Sequence, residues 1–239
     1  MDSVRALPRQ MMLGAVSDPG IIYEYGRWVG RQCKRMGIHM NYAPCVDVNN
    51  NPDNPVINDR SFGQDKEKVA QYAIQYMKGM QAEGIHTCAK HFPGHGDVAV
   101  DSHLDLPVIN KSRQQLDSLE LYPFRKLIEA GVDAVMVGHL YIPVIDDRAN
   151  RATSISKKNV DGLLKRELGF GGMVFTDALE MKGVTKYFPG GEISSEALVA
   201  GNDLLCLPED IEGTILSTKQ KIRKKQLSWE NIDGSVKKL

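Results

Sequence analysis

Five short apolar runs, each giving way to polar residues and each followed by a stretch with helical periodicity, constrain this chain more than any other feature. They are Ile38 to Val48, Gly84 to Ala89, Val132 to His139, Gly172 to Asp177 and Asn202 to Leu207. None alternates polar and apolar residues. Each therefore reads as a strand buried on both faces, and such strands belong to parallel sheets covered by helices.

The intervening stretches carry helix signals. Ser17 is a candidate N-cap with Pro19 just inside, and Ile22, Tyr25, Val29, Cys33 and Met36 recur at helical spacing up to Gly37. A second helix is expected from a cap near Asp65, with Val69, Ala73, Tyr76, Met77 and Met80 on one face and Gly84 beyond its end. Ser112 and Gln115 form a capping box for a third, which carries Leu116, Leu119, Leu127 and Ile128 to Gly131. A fourth runs from Ser156 to Gly169, and Ser228 caps a short last one. The fold class is α/β. A doubly wound sheet and a (β/α)8 barrel both fit the alternation, but Asp47, Lys90, His91, His139 and Asp177 fall at the ends of apolar runs, where barrel enzymes place catalytic groups. The expectation is a TIM-type barrel, incomplete with about five βα units, in a single domain spanning residues 1–239.

Charge narrows the partner. With 30 basic and 30 acidic side chains the net charge is zero, so neither nucleic acid nor a membrane surface is expected. No apolar run approaches the ~20 residues needed to span a bilayer, and Met1 to Pro8 lacks the apolar core of a signal peptide. The compartment stays open. Cys33, Cys45, Cys88 and Cys206 form no C-x-x-C pair and read as small core residues.

Chemistry concentrates between Lys90 and His103, in the run Lys-His-Phe-Pro-Gly-His-Gly-Asp followed by Asp101-Ser102-His103. Lys90 and His91 at the end of a buried strand imply a partner or a ligand, since lysine is seldom buried without one. Asp101 stands two residues before His103, on the same side of an extended backbone, and can orient the imidazole and raise its pKa toward use as a proton donor. Asp177 at a strand end is placed as a nucleophile or general base, although position alone leaves a helix-capping role open. Arg60 in the loop Asn58-Asp59-Arg60-Ser61-Phe62-Gly63 can fork onto hydroxyls or hold the loop to an acid. His91, His95 and His103 could supply three metal ligands, but neither H-x-H nor H-E-x-x-H occurs, and Pro93-Gly94 between two of them argues for loop shaping; no metal or cofactor is expected.

Together these motifs resemble glycoside hydrolase family 3, in particular its bacterial β-N-acetylglucosaminidase branch. The similarity rests on Lys90 to Asp97, Asp101 to His103, Asn58 to Gly63, Phe175 to Met181 and Ala200 to Asp203, in the family's order. The resemblance implies a retaining hydrolase that removes terminal β-linked N-acetylglucosamine through a covalent glycosyl-enzyme intermediate. Asp177 matches the nucleophile and His103 the acid/base, oriented by Asp101, while Arg60, Lys90 and His91 match positions that bind sugar hydroxyls. The implied partner is a small carbohydrate, and peptidoglycan fragments are a candidate source. Family members resemble this chain only after about three further βα units, so it is expected to be an N-terminally truncated catalytic domain. A sugar-binding remnant without activity and a β-glucosidase-type member are the alternatives.

Overall fold

The computed structural model describes residues 6–98, 105–188 and 191–239. It opens with a short helix, α1 (Gln10–Gly14), and a long one, α2 (Pro19–Arg35). Asp18 rather than Ser17 caps α2. Its carboxylate accepts from the Gly20 N–H at 2.8 Å, and Pro19 fills the first helical position, where no N–H is required. Strand β1 (Met40–Asn41) is much shorter than its apolar run. Pro44 has no N–H to give a ladder, and only the bridge from Cys45 to Lys90 restores pairing beyond it.

Helix α3 (Lys66–Ala82) starts where expected, with Asp65 accepting from the Lys68 N–H, and leads through Gly84 at φ +80° into β2 (His86–Phe92). The Ser112–Gln115 capping box is present, but the single helix expected behind it is two, α4 (Arg113–Ser118) and α5 (Leu121–Glu129). Pro123 explains the break: its missing N–H cannot bond the Leu119 carbonyl, and its ring crowds that group. Strand β3 (Ala134–Val137) follows, then a π-helical segment (Lys158–Glu167) and β4 (Met173–Thr176). The chain ends with α6 (Lys182–Thr185), α7 (Glu192–Ala200), α8 (Ile211–Arg223) and α9 (Trp229–Val236), the last capped by Ser228.

The strands are parallel and ordered β1-β2-β3-β4. Strict sequence order separates a barrel arc from a doubly wound sheet, whose order reverses at a switch point. The run Asn202 to Leu207 takes the next position through a single bridge, Leu204 to Phe175. Both faces are buried, which is why the runs are unbroken. Val135, Val137 and Val174 belong to the main core with Ile22, Met77, Met80 and Leu127. Cys88, Ala134, Met136, Met173 and Phe175 form a second cluster on the inner face. Register places Cys88, Ala134 and Met173 at one level and Lys90, Met136 and Phe175 at the next, the layering of a barrel interior.

Helices α2 and α3 cross at close range because glycines face each other. A Cβ on Gly79 would lie 2.1 Å from the Tyr23 carbonyl oxygen, and one on Gly26 would lie 2.4 Å from that of Tyr76. No helix among the described residues is long and apolar enough to cross a membrane. Cys33, Cys45 and Cys88 are buried, Cys206 is half-buried, and all four thiols are free.

Candidate active site

Asp47 organises the C-terminal end of the sheet. It is 1% exposed, at the edge of a loop that the Ser61 hydroxyl holds by donating to the Asp47 carbonyl at 2.6 Å. Its carboxylate accepts from the His91 N–H, from His91 Nδ1 at 2.7 Å, from the His95 N–H at 2.7 Å and from the Cys45 thiol at 3.1 Å. Burial pushes this carboxyl upward, but His91, His95 and the Cys45 bond outweigh it and hold the group well below the usual carboxylate range.

These bonds fix the His91 ring. Nδ1–H points at Asp47, while Nε2 accepts from the Arg60 guanidinium at 3.1 Å. Arg60 comes from a 3-10 turn (Asn58–Arg60) and also donates to the Val56 carbonyl. Asp47, His91 and Arg60 thus form one chain of hydrogen bonds that ends at a cationic fork. Lys90, next to His91, points to the inner face, and its ammonium pairs with no carboxylate among the described residues.

Asp177 follows β4 directly, and its N–H continues the ladder to the Val137 carbonyl at 2.9 Å. Its Oδ1 accepts from the Ala178 N–H at 2.9 Å. His139, fully buried beyond β3, meets the Ser154 hydroxyl at 2.7 Å through Nδ1 and donates to the Ala178 carbonyl at 2.9 Å through Nε2. The turn carrying Asp177 is therefore held from both sides. Burial raises this carboxyl, while His91, His139, the Ala178 N–H and Lys90 together bring it below its ordinary value, so it is ionised at neutral pH.

Arg60, Lys90, His91 and Asp177 converge on one cavity of about 540 Å³, with His95, Tyr42, Met136 and Met181 also in its wall. The structure brings together four of the six residues singled out from the sequence. Asp101 and His103 lie outside the described residues. Asp47 was legible only as a polar residue at a strand end, and the signal for more was a lone acid inside Cys45-Val46-Asp47-Val48. Cys45, Asp47 and His91 stand close enough to share an ion. They are bonded to one another instead, and burial and Asp47 push the Cys45 thiol well above its usual range, so it keeps its proton. An ionised carboxylate facing an ammonium, a guanidinium and an imidazole suits a neutral polyhydroxylated ligand, with donors for its hydroxyls and an anion for an electrophilic carbon.

The family model described as the glycosyl hydrolase family 3 N terminal domain matches residues 1–239. The chain belongs to glycosyl hydrolase family 3. It is 36% identical over 190 residues to a beta-hexosaminidase A from Pseudoalteromonas piscicida, covering 75% of this chain and 32% of that one. It is 29% identical over 237 residues to a beta-N-acetylglucosaminidase/beta-glucosidase from Cellulomonas fimi, covering 96% of this chain and 42% of that one. A solved family 3 beta-N-acetylglucosaminidase from Paenibacillus superposes with a TM-score of 0.94 at 39% identity, over 98% of this chain and 45% of that one. The chain thus spans about a third to a half of the length of these relatives.

Proposed function

We propose that this family 3 chain, taken as a single partial catalytic domain over residues 1–239, carries the sugar-binding, nucleophilic and acid/base residues of a retaining β-N-acetylglucosaminidase. The observation that supports this most is Asp177, ionised and half-buried, in one cavity with Lys90, His91 and Arg60. In this reading Lys90 and Arg60 hold the hydroxyls of the terminal sugar, and His91 Nε2 joins them by exchanging its Arg60 bond for a hydroxyl. The Asp177 carboxylate attacks the anomeric carbon as the bond to the leaving oxygen breaks, and His103, oriented by Asp101, gives that oxygen its proton. Water then attacks the glycosyl-enzyme ester, His103 takes a proton from it, and Asp177 is released as a carboxylate. Peptidoglycan fragments bearing a terminal N-acetylglucosamine are the natural substrate class.

A histidine in the acid/base role becomes neutral after donating its proton, so it does not repel the incoming nucleophile as a second carboxylate would. A second reading, in which glucosides are also cleaved, draws support from the double name of the Cellulomonas relative. Parallel assays on an aryl β-N-acetylglucosaminide and an aryl β-glucoside distinguish the readings. The proposal expects turnover of the first in clear excess over the second. Equal turnover favours the dual reading, and sugar binding without turnover of either reduces the chain to a binding unit.

A further inference from the structure

The mechanism above leaves one buried polar side chain in the cavity wall unused. His95 is 1% exposed, and among the described residues neither Nδ1 nor Nε2 has a hydrogen-bond partner. Its backbone is pinned on both sides, the N–H on Asp47 at 2.7 Å and the carbonyl accepting from Asn54 Nδ2 at 2.8 Å, so the position of its Cα is set by the same network that orients His91. The ring stands edge-on to His91 at 5.8 Å between centroids, and a Cβ on Gly138 would lie 3.7 Å from its Cδ2. Burial first, and then His91, push its pKa down to about 4, so the ring is neutral at neutral pH.

A neutral imidazole carries one donor and one acceptor, and burying both without partners costs stability. An apolar ring would fill the same space without that cost. A hydroxyl is also a donor and an acceptor at once, and the cavity is already lined for hydroxyls by Lys90, His91 and Arg60. We infer that His95 is a further sugar-binding residue, whose imidazole bonds a hydroxyl of the sugar that sits over Asp177. Both nitrogens are covered, so the contact requires the ring to turn about its side-chain torsions. Among the described residues no hydrogen bond fixes the ring, so packing opposes that turn. This inference rests on the glycosidase reading and adds a contact to it.

The test compares wild type with His95→Phe and His95→Gln, using calorimetric titration with N-acetylglucosamine and a thermal melt at neutral pH. His95→Phe is expected to melt at or above the wild-type temperature and to bind the sugar about tenfold more weakly. His95→Gln, which keeps a donor and an acceptor, should recover part of that loss. In wild type labelled with 15N-histidine, sugar should move the His95 ring-nitrogen resonances, a readout that needs no variant to fold. If wild type binds the sugar while His95→Phe binds it equally well, or while the His95 resonances stay fixed, the inference fails and the glycosidase reading stands. If wild type binds no sugar, the underlying reading fails and the inference falls with it.

Discussion

The site can be tested one side chain at a time. His103→Ala should slow hydrolysis of substrates with poor leaving groups by ~10²–10⁴-fold, while leaving activated aryl glycosides much less affected, because only poor leaving groups need the proton. Equal losses on both, in steady-state kinetics, would remove His103 from the acid role. Two histidine–carboxylate neighbours also predict how stability follows pH. Asp47 is held below its unfolded value, so its stabilising contribution is complete above about pH 4 and is lost as pH falls toward the folded value. His95 is a base that burial and then His91 hold down to about 4, against the opposing pull of Asp47 and Asp177. The unfolded chain therefore takes up a proton first, and the fold should lose roughly 3 kcal/mol as pH drops from about 6.5 to about 4. Urea midpoints at pH 7 and pH 5 measure the upper part of this window, and His95→Phe should flatten it.

At the level of helices and strands, the expectations that held were those with a local physical cause. Asp65 and the Ser112–Gln115 box cap helices because their side chains satisfy N–H groups within the same turn, which sequence spacing shows directly. The α4–α5 break was also written in the chain, at Pro123, but the apolar spacing across it still fits one helix. Helix α8 was missed, although Ile211, Ile215 and Ile222 stand at helical spacing; none of its residues is buried. The close crossing of α2 and α3 was not legible either, since Gly26 and Gly79 lie fifty-three positions apart and only the fold makes them neighbours. Gly79→Ala should force those helices apart and lower stability by about 1–3 kcal/mol in urea denaturation, with the far-UV spectrum retained. An unchanged midpoint would mean that the crossing is looser than it looks.

For the molecule as a whole, five apolar runs were enough to give an α/β class and the parallel sense of the sheet. They could not choose between barrel and doubly wound order, which is a matter of which strand neighbours which; the observed order and the family match decide it. Arg60, Lys90, His91 and Asp177 were legible as separate groups at strand ends and loops. What the sequence could not show was the part played by Asp47, a single acid whose four partners come from residues as far as forty-eight positions away. The central claim is that these elements meet to present Asp177 to an anomeric carbon. Mass spectrometry after incubation with a fluorinated N-acetylglucosaminide that forms a slow-hydrolysing adduct tests it most directly. The account predicts one covalent sugar on the wild-type chain, on the peptide containing Asp177, and none on Asp177→Ala. An adduct that persists in Asp177→Ala, or that maps to another residue, would contradict it.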